Sequence, residues 1–212
     1  MIEYTFDIDE SYMDRFFKPI KNKIQIIELL MNSIKYMLIN PTIKESNAKG
    51  KIIVRIDKMS RIFFVKSDKY FSIMFPFYIK KNEGYSFKFR NEMEVDNRIT
   101  SEVISLINEP SFYSGCSLEF IEKISLYQED SCNENYWDFL RELLMMEDGY
   151  LRYDYDRINY EKHGKKDIHP LHHYDLFYGS NSTFKIGLRR KISEEDFLDL
   201  LNIKTDCKFI NC

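Results

Sequence analysis

The chain has 212 residues, of which 44% are hydrophobic, 31% charged and 16% aromatic, and its formal net charge is −3. This composition excludes an intrinsically disordered, collagen-like or low-complexity protein, because such chains lack the apolar side chains that form a core. A chain of this size buries one full core, and no linker or internal repeat interrupts it, so we expect a single domain spanning residues 1–212.

The first half of the chain begins with a helical pattern and continues with strand patterns. Apolar residues recur every three or four positions from Ile20 to Leu38, as in an amphipathic helix, and Asn40-Pro41 predicts its end. Short β-branched and aromatic runs follow, at 51–56, 61–66, 71–80 and 85–90. They predict an antiparallel meander, in which Pro76 restricts part of the third run to a sheet edge or a bulge.

Shorter helices are predicted in the second half. Helical spacing of apolar residues recurs at 99–107 and at 136–144, and Ser193 with Asp196 forms a capping-box pattern before a last helix. The predicted fold class is therefore α+β: an antiparallel sheet (meander) with a long N-terminal helix and several shorter helices packed on it.

Charge is segregated along the chain. Residues 15–66 carry twelve bases and three acids, whereas residues 91–148 carry fourteen acids and three bases. Clustered lysine and arginine side chains are typical of nucleic-acid-binding surfaces. The two blocks can also pack together and neutralise each other, and the scarcity of glycine in the basic block favours this second interpretation.

The sequence shows no targeting or metal-binding pattern. The N-terminal residues are acidic, and no run approaches eighteen uncharged apolar residues, so we expect a cytoplasmic protein without a membrane partner. The four cysteines, Cys116, Cys132, Cys207 and Cys212, form no C-x-x-C pair. They therefore predict neither a zinc site nor a disulfide framework, and we expect no cofactor.

The chemically suggestive segment runs from Gly149 to Arg190 and contains all four histidines, His163, His169, His172 and His173. Strand alternation places Arg152, Asp154 and Asp156 on one face of a strand at 150–156. A second strand at 171–178 directs His173 and Asp175 to one face and His172 to the other. If the two strands pair, guanidinium, carboxylate and imidazole groups meet, and Arg189 and Arg190 can add positive charge.

This segment resembles an uncharacterised bacterial domain family. The residues Arg152-Tyr153-Asp154-Tyr155-Asp156 and His169-Pro170-Leu171-His172 match that family's R-[FY]-D-[FY]-D and H-P-x-x-H pattern over about the last quarter of the chain. The family is associated with phage-defence and mobile-element genes. A similar order of residues occurs in the toxin half of some toxin–antitoxin pairs, which implies a ribonuclease.

Three interpretations of the segment remain open. In the first, it is a metal-independent ribonuclease site whose catalytic residues are His169, His172, Asp154, Arg152 and Asp156, with Arg189, Arg190 and His173 binding substrate. In the second, two histidines and an aspartate hold a divalent metal; because His172 and His173 point to opposite faces, this interpretation is disfavoured, and no metal site is predicted. In the third, the same groups form a structural hydrogen-bond network.

The sequence therefore predicts a component of a prokaryotic phage-defence or toxin–antitoxin type system. It is either a ribonuclease-like effector that acts on nucleic acid or a non-catalytic protein-binding or regulatory subunit. A protein partner is expected in both cases. The sequence leaves open whether the chain is an enzyme.

Overall fold

The computed structural model describes residues 1–90, 93–110, 125–126, 135–163, 168–179 and 182–209. Seven strands form one antiparallel sheet in the order β1-β2-β3-β4-β8-β9-β10, and three form a second sheet in the order β5-β6-β7. The strands are β1 Ile2–Asp9, β2 Ala48–Ile56, β3 Arg61–Lys66, β4 Lys69–Met74, β5 Phe77–Lys81, β6 Tyr85–Phe89, β7 Met93–Glu94, β8 Leu151–Tyr155, β9 His172–Gly179 and β10 Ser182–Leu188. The α-helices in the described part are α1 Met13–Phe17, α2 Lys23–Ile39, α3 Asn97–Ile107, α4 Tyr136–Met145, α5 Arg157–His163 and α6 Glu194–Leu200.

The predicted fold class, a single meander with a long N-terminal helix, is wrong. Strand β1 precedes the first helix, the ten strands of the described residues divide into two sheets, and the longest helix in the same ranges, α2, has 17 residues. Helix α2 starts only after Asn22, whose side chain accepts a hydrogen bond from the Gln25 backbone N–H at 3.0 Å. It ends at Asn40, which adopts the left-handed conformation with φ 43°. The helix therefore covers the predicted apolar pattern except for its first three residues, and it ends at the predicted position.

Pro76 separates the two sheets. The apolar run at 71–80 is not one strand: its first part lies in β4 and its last part in β5, which belongs to the second sheet. Proline has no backbone N–H and cannot continue a hydrogen-bonded ladder through this position. As a result β4 does not pair with the next strand in sequence but with β8, where Tyr70 lies opposite Tyr153.

The large sheet is covered on both faces. Ile52, Phe64 and Phe71 belong to the main core, which also includes the buried residues of α2. On the other face, Phe63 and Tyr153 belong to a smaller core with Phe197 of α6. No helix in the part of the chain that the structure describes has both the length and the apolar character needed to cross a bilayer.

Arg61 fixes the turn that leads into β8. Its Nε donates to Ser72 Oγ at 2.9 Å, and its guanidinium also donates to the carbonyl of Gly149. Gly149 has φ +54°, and a Cβ at this position would lie 2.9 Å from the Arg61 guanidinium. Burial lowers the pKa of Arg61 to about 10, which still leaves it charged at neutral pH. This contact positions the first residues of β8 beside β4.

Removing the ring of Phe197 is expected to detach α6 from the sheet. Phe197 is completely buried and contacts the rings of Phe63 and Tyr70, so Phe197→Ala should lower the free energy of unfolding by about 3 to 5 kcal/mol. Urea denaturation followed by circular dichroism measures this change. Phe209→Ala, at an exposed position, is the matched control and should leave the free energy of unfolding unchanged. Equal effects of the two substitutions would contradict the packing described for α6.

Candidate functional site

Strands β8 and β9 bring the predicted polar residues together. The two strands pair antiparallel, with Arg152 opposite Asp175 and Asp154 opposite His173. The pairing of these two segments, on which the sequence-based grouping of the polar residues depended, is thus present in the fold. Because side chains alternate between the two faces of a strand, all four of these residues point to the same face of the sheet.

Arg152 is the centre of this group. Its guanidinium donates hydrogen bonds to the carboxylates of both Asp154 and Asp175, and it lies 5.4 Å from the centre of the Phe177 ring. Burial by itself lowers the pKa of Arg152, but the charges of Asp154 and Asp175, together with the interaction with the Tyr150 hydroxyl, outweigh burial and raise it above its ordinary value. The guanidinium therefore remains charged and joins β8 to β9.

Two lysines from the flanking strands complete the arrangement. Lys69 on β4 lies opposite Asp154, with 3.6 Å between Nζ and Oδ1, and Lys185 on β10 lies opposite Asp175, with 3.8 Å between Nζ and Oδ1. We call Lys69, Arg152, Asp154, His173, Asp175 and Lys185 the charged cluster. It contains three cations and two carboxylates, and it spans all four strands from β4 to β10.

His173 is oriented by the turn that precedes β9. Its Nδ1 donates to the carbonyl of Pro170 at 2.9 Å, and Nε2, which is an acceptor in the neutral form of the ring, lies 3.4 Å from Lys185 Nζ. The Pro170 ring packs over Gly187 of β10, where a Cβ would lie 2.9 Å from Pro170 Cγ. His173 is 1% exposed and Asp175 is 2% exposed. Pro170 of the motif and His173, which directly follows the motif, therefore have a visible structural role.

His172 lies on the opposite face of the sheet. Its Nδ1 is 2.9 Å from the Tyr153 hydroxyl, and its ring stacks on Tyr155 with 5.1 Å between the ring centres. Burial raises the pKa of Tyr153 to about 12, so this hydroxyl stays protonated at neutral pH and can donate to a neutral imidazole. The structure does not bring His172 together with Asp154. His169 is half-buried in the turn before β9.

The other predicted site residues follow directly after strands β8 and β10. Asp156 begins α5, where its carboxylate accepts hydrogen bonds from the backbone N–H of Asn159 at 3.1 Å and from its side-chain amide at 2.7 Å. Burial raises the pKa of Asp156, but these hydrogen bonds and the charges of His173 and Lys185 outweigh burial and lower it. Arg189 and Arg190 are exposed after the end of β10 and form no ion pair with any of the described residues.

Three residues of the charged cluster could in principle hold a metal ion. Asp154, His173 and Asp175 each place one ligand atom within 4.8 Å of the others. However, Arg152, Lys69 and Lys185 already face the same carboxylates, and a divalent cation would add repulsion between like charges. The ion pairs account for both carboxylates, although Asp175 Oδ1 is buried and accepts no hydrogen bond.

Sequence reasoning found the strand faces but not every member of the cluster. Lys69 and Lys185 were not among the predicted site residues, although the alternation within β4 and β10 would have placed each on a defined face. Their proximity depends on β4 pairing with β8 and on β10 pairing with β9, and no local pattern in the sequence specifies these partners.

Comparison with known proteins adds no relative. No protein-family model, no curated protein and no solved structure matches this chain. The resemblance of the motif at Arg152–Asp156 and His169–His172 to a bacterial domain family therefore stays a prediction.

The ion pair between Arg152 and Asp175 is expected to be a major contribution to stability. Asp175→Asn should lower the free energy of unfolding by about 2 to 3 kcal/mol, because it leaves the partly buried Arg152 guanidinium with Asp154 as its remaining carboxylate partner. The double variant Arg152→Met/Asp175→Leu should recover part of this loss, because it removes both charges of the pair and leaves Asp154 with Lys69 as its counter-charge. Urea denaturation of the single and double variants measures the coupling.

Arg157→Gln provides the control, because its partner Glu161 and Arg157 itself are both exposed. We expect it to change the free energy of unfolding by less than about 0.5 kcal/mol. If Asp175→Asn had no larger effect than Arg157→Gln, the structural importance assigned to the buried pair would be wrong.

His172 is expected to titrate below its ordinary pKa of 6.5. Burial is the main cause of the lowered pKa, and the charges of Lys191 and His173 add to it. Since the unfolded chain then binds the proton more readily, the free energy of unfolding should fall as the pH decreases through about 6.5. Titration of the His172 ring protons by NMR measures the midpoint, and His172→Phe assigns the signal. A midpoint at or above 6.5 would contradict the environment described here.

Proposed function

We propose that this chain is a non-catalytic protein-binding subunit, and that the charged cluster holds strands β4, β8, β9 and β10 together. The observation that carries the proposal is the burial of His173 and Asp175, at 1% and 2% exposure, together with the position of His172 on the other face of the sheet. The polar groups that sequence reasoning combined into one active site are divided between two surfaces.

General acid–base catalysis needs imidazole nitrogens that can reach the substrate. In His173, Nδ1 donates to Pro170 and Nε2 faces Lys185, so both ring nitrogens are engaged with the protein. In His172, Nδ1 faces the Tyr153 hydroxyl, and the ring is stacked on Tyr155. This arrangement supports a structural role for both histidines more strongly than a role as an acid and base pair.

Exposed apolar side chains support binding to another protein. Five large hydrophobic residues between positions 155 and 184 are at least 36% exposed, namely Tyr155, Ile158, Ile168, Leu176 and Phe184. They belong to β8, α5, the turn before β9, and strands β9 and β10. A concentration of exposed apolar surface in one part of a chain is a feature of interaction sites.

The cellular setting of the proposal comes from the resemblance in sequence. The Arg152–Asp156 and His169–His172 motifs resemble those of bacterial domains associated with phage defence and toxin–antitoxin pairs. We therefore place the subunit in a system of that type, where it would act through a protein partner.

A cleavage assay tests the proposal against the ribonuclease alternative. Purified protein is incubated with labelled single-stranded RNA and DNA in the presence of Mg²⁺, Mn²⁺ or EDTA. We expect no cleavage above the buffer control under any of these conditions, and the same result for His172→Ala and Asp154→Asn. Circular dichroism confirms that each sample is folded. Cleavage by the wild-type protein that is lost in a folded His172→Ala or Asp154→Asn variant would overturn the proposal.

A further inference from the structure

Strand β10 is the last strand of the large sheet, and its hydrogen-bonding groups can be assigned to two sides. The Asp156 backbone N–H donates to the Leu171 carbonyl at 2.9 Å, so Leu171 directs its backbone groups toward β8. In an antiparallel pair every second residue does the same, and in β9 these residues include His173, which lies opposite Asp154. The intervening residues, such as Tyr174, direct theirs toward β10, where Tyr174 lies opposite Ile186.

The same alternation assigns the outer edge of β10. Phe184, Ile186 and Leu188 hydrogen-bond toward β9, so Thr183, Lys185 and Gly187 direct their backbone N–H and C=O groups away from the sheet. No described strand lies beyond β10. Each of these three residues therefore offers one backbone donor and one backbone acceptor, to which a further strand can bind.

We propose that the outer edge of β10 binds an extended, acidic segment of a partner protein as an eighth strand of the sheet. The proposal builds on the protein-binding function above and specifies the chemistry of the partner. Addition of a strand uses the backbone groups for affinity and the alternating side chains for selectivity.

The positive charge of this edge indicates that the partner segment is negatively charged. Residues 182–191 contain four basic side chains and no acidic one. Arg189 and Arg190 are exposed and form no ion pair in the part of the chain that the structure describes, whereas Lys185 lies beside Asp175. An acidic strand placed along β10 would supply the missing counter-charges, mainly at the two arginines.

The apolar side of the edge indicates that the partner also carries hydrophobic residues. Phe184 lies opposite Leu176 on β9, and the two side chains are 60% and 36% exposed. A strand added beyond β10 would place its side chains against Phe184 and cover part of this surface. The expected partner sequence therefore alternates acidic and apolar residues.

Pairing of β10 with a second copy of itself is disfavoured. An antiparallel pair of identical strands centred on Lys185 would place the two Lys185 side chains directly opposite each other, and like charges opposite each other destabilise a sheet. A nucleic acid is a poorer fit as well, because phosphate oxygens only accept hydrogen bonds, whereas the β10 edge presents both donors and acceptors.

The experiment measures binding of a fluorescein-labelled peptide of about seven residues, the length of β10, in which aspartate and valine alternate. Fluorescence polarisation at low and high salt gives its dissociation constant, and a peptide of alternating lysine and valine is the control ligand. We expect the acidic peptide to bind at least about tenfold more tightly than the basic one, and more weakly at high salt.

Variants of β10 test where the peptide binds. Thr183→Pro removes one outward N–H without removing a hydrogen bond to β9, and it should weaken binding by about tenfold, whereas Thr183→Val keeps the N–H and should not. Arg189→Glu/Arg190→Glu should also weaken binding by about tenfold, while Lys44→Glu/Lys80→Glu, at exposed positions distant in sequence, should have little effect.

Several results would overturn the proposal. These are equal binding of the two peptides, equal binding by Thr183→Pro and Thr183→Val, and preference for single-stranded RNA over the acidic peptide. A concentration-dependent oligomer in sedimentation that Thr183→Pro abolishes would instead identify a second copy as the occupant, through the acidic edge strand β1. If the protein binds neither peptide and cleaves no nucleic acid, only this inference is rejected. If the protein binds the acidic peptide and also cleaves nucleic acid, only the non-catalytic function is rejected.

Discussion

The ion pairs of the Arg152 guanidinium are the interactions on which strands β8 and β9 of the large sheet depend. The guanidinium binds the carboxylates of Asp154 on its own strand and Asp175 on the neighbouring strand, and it is partly covered by Phe177. Such a pair compensates for the cost of burying charge only when its geometry is good and the other polar atoms are satisfied. Lys69 and Lys185 extend the same pattern to β4 and β10, so four adjacent strands share one set of charges.

Side chains alternate between the two faces of β9, so its two histidines lie in different environments. His173 belongs to the charged cluster and is oriented by the Pro170 carbonyl, whereas His172 joins the aromatic layer of Tyr153 and Tyr155. Adjacent positions in a strand cannot share a face, so a pair of consecutive histidines on a strand does not form one acid–base site. The same constraint explains why a motif that suggests catalysis in sequence is compatible with a structural role in this fold.

Strand β10 contributes a side chain to the charged cluster and also forms the edge of the large sheet. Lys185 directs its ammonium group toward Asp175, while its backbone groups point away from the sheet. Gly187 is packed beneath Pro170, which holds the turn before β9 against the edge strand. The charged cluster thus keeps in place the strand beyond which no further strand of the described residues lies. A rigid edge with defined charge is a suitable surface for adding an extended segment.

The sequence by itself determined the local features: the strand at 51–56, the alternation that places Arg152 and Asp154 on one face, and the capping box of Ser193 with Asp196 that starts α6. These depend on periodicity and on contacts between neighbouring residues. Only the tertiary structure decided that Pro76 sends the chain into a second sheet, that β1 precedes the helices, and that Lys69 and Lys185 flank the two aspartates. Those outcomes depend on which distant strands pair, and pairing is selected by burial over the whole sheet rather than by any local pattern.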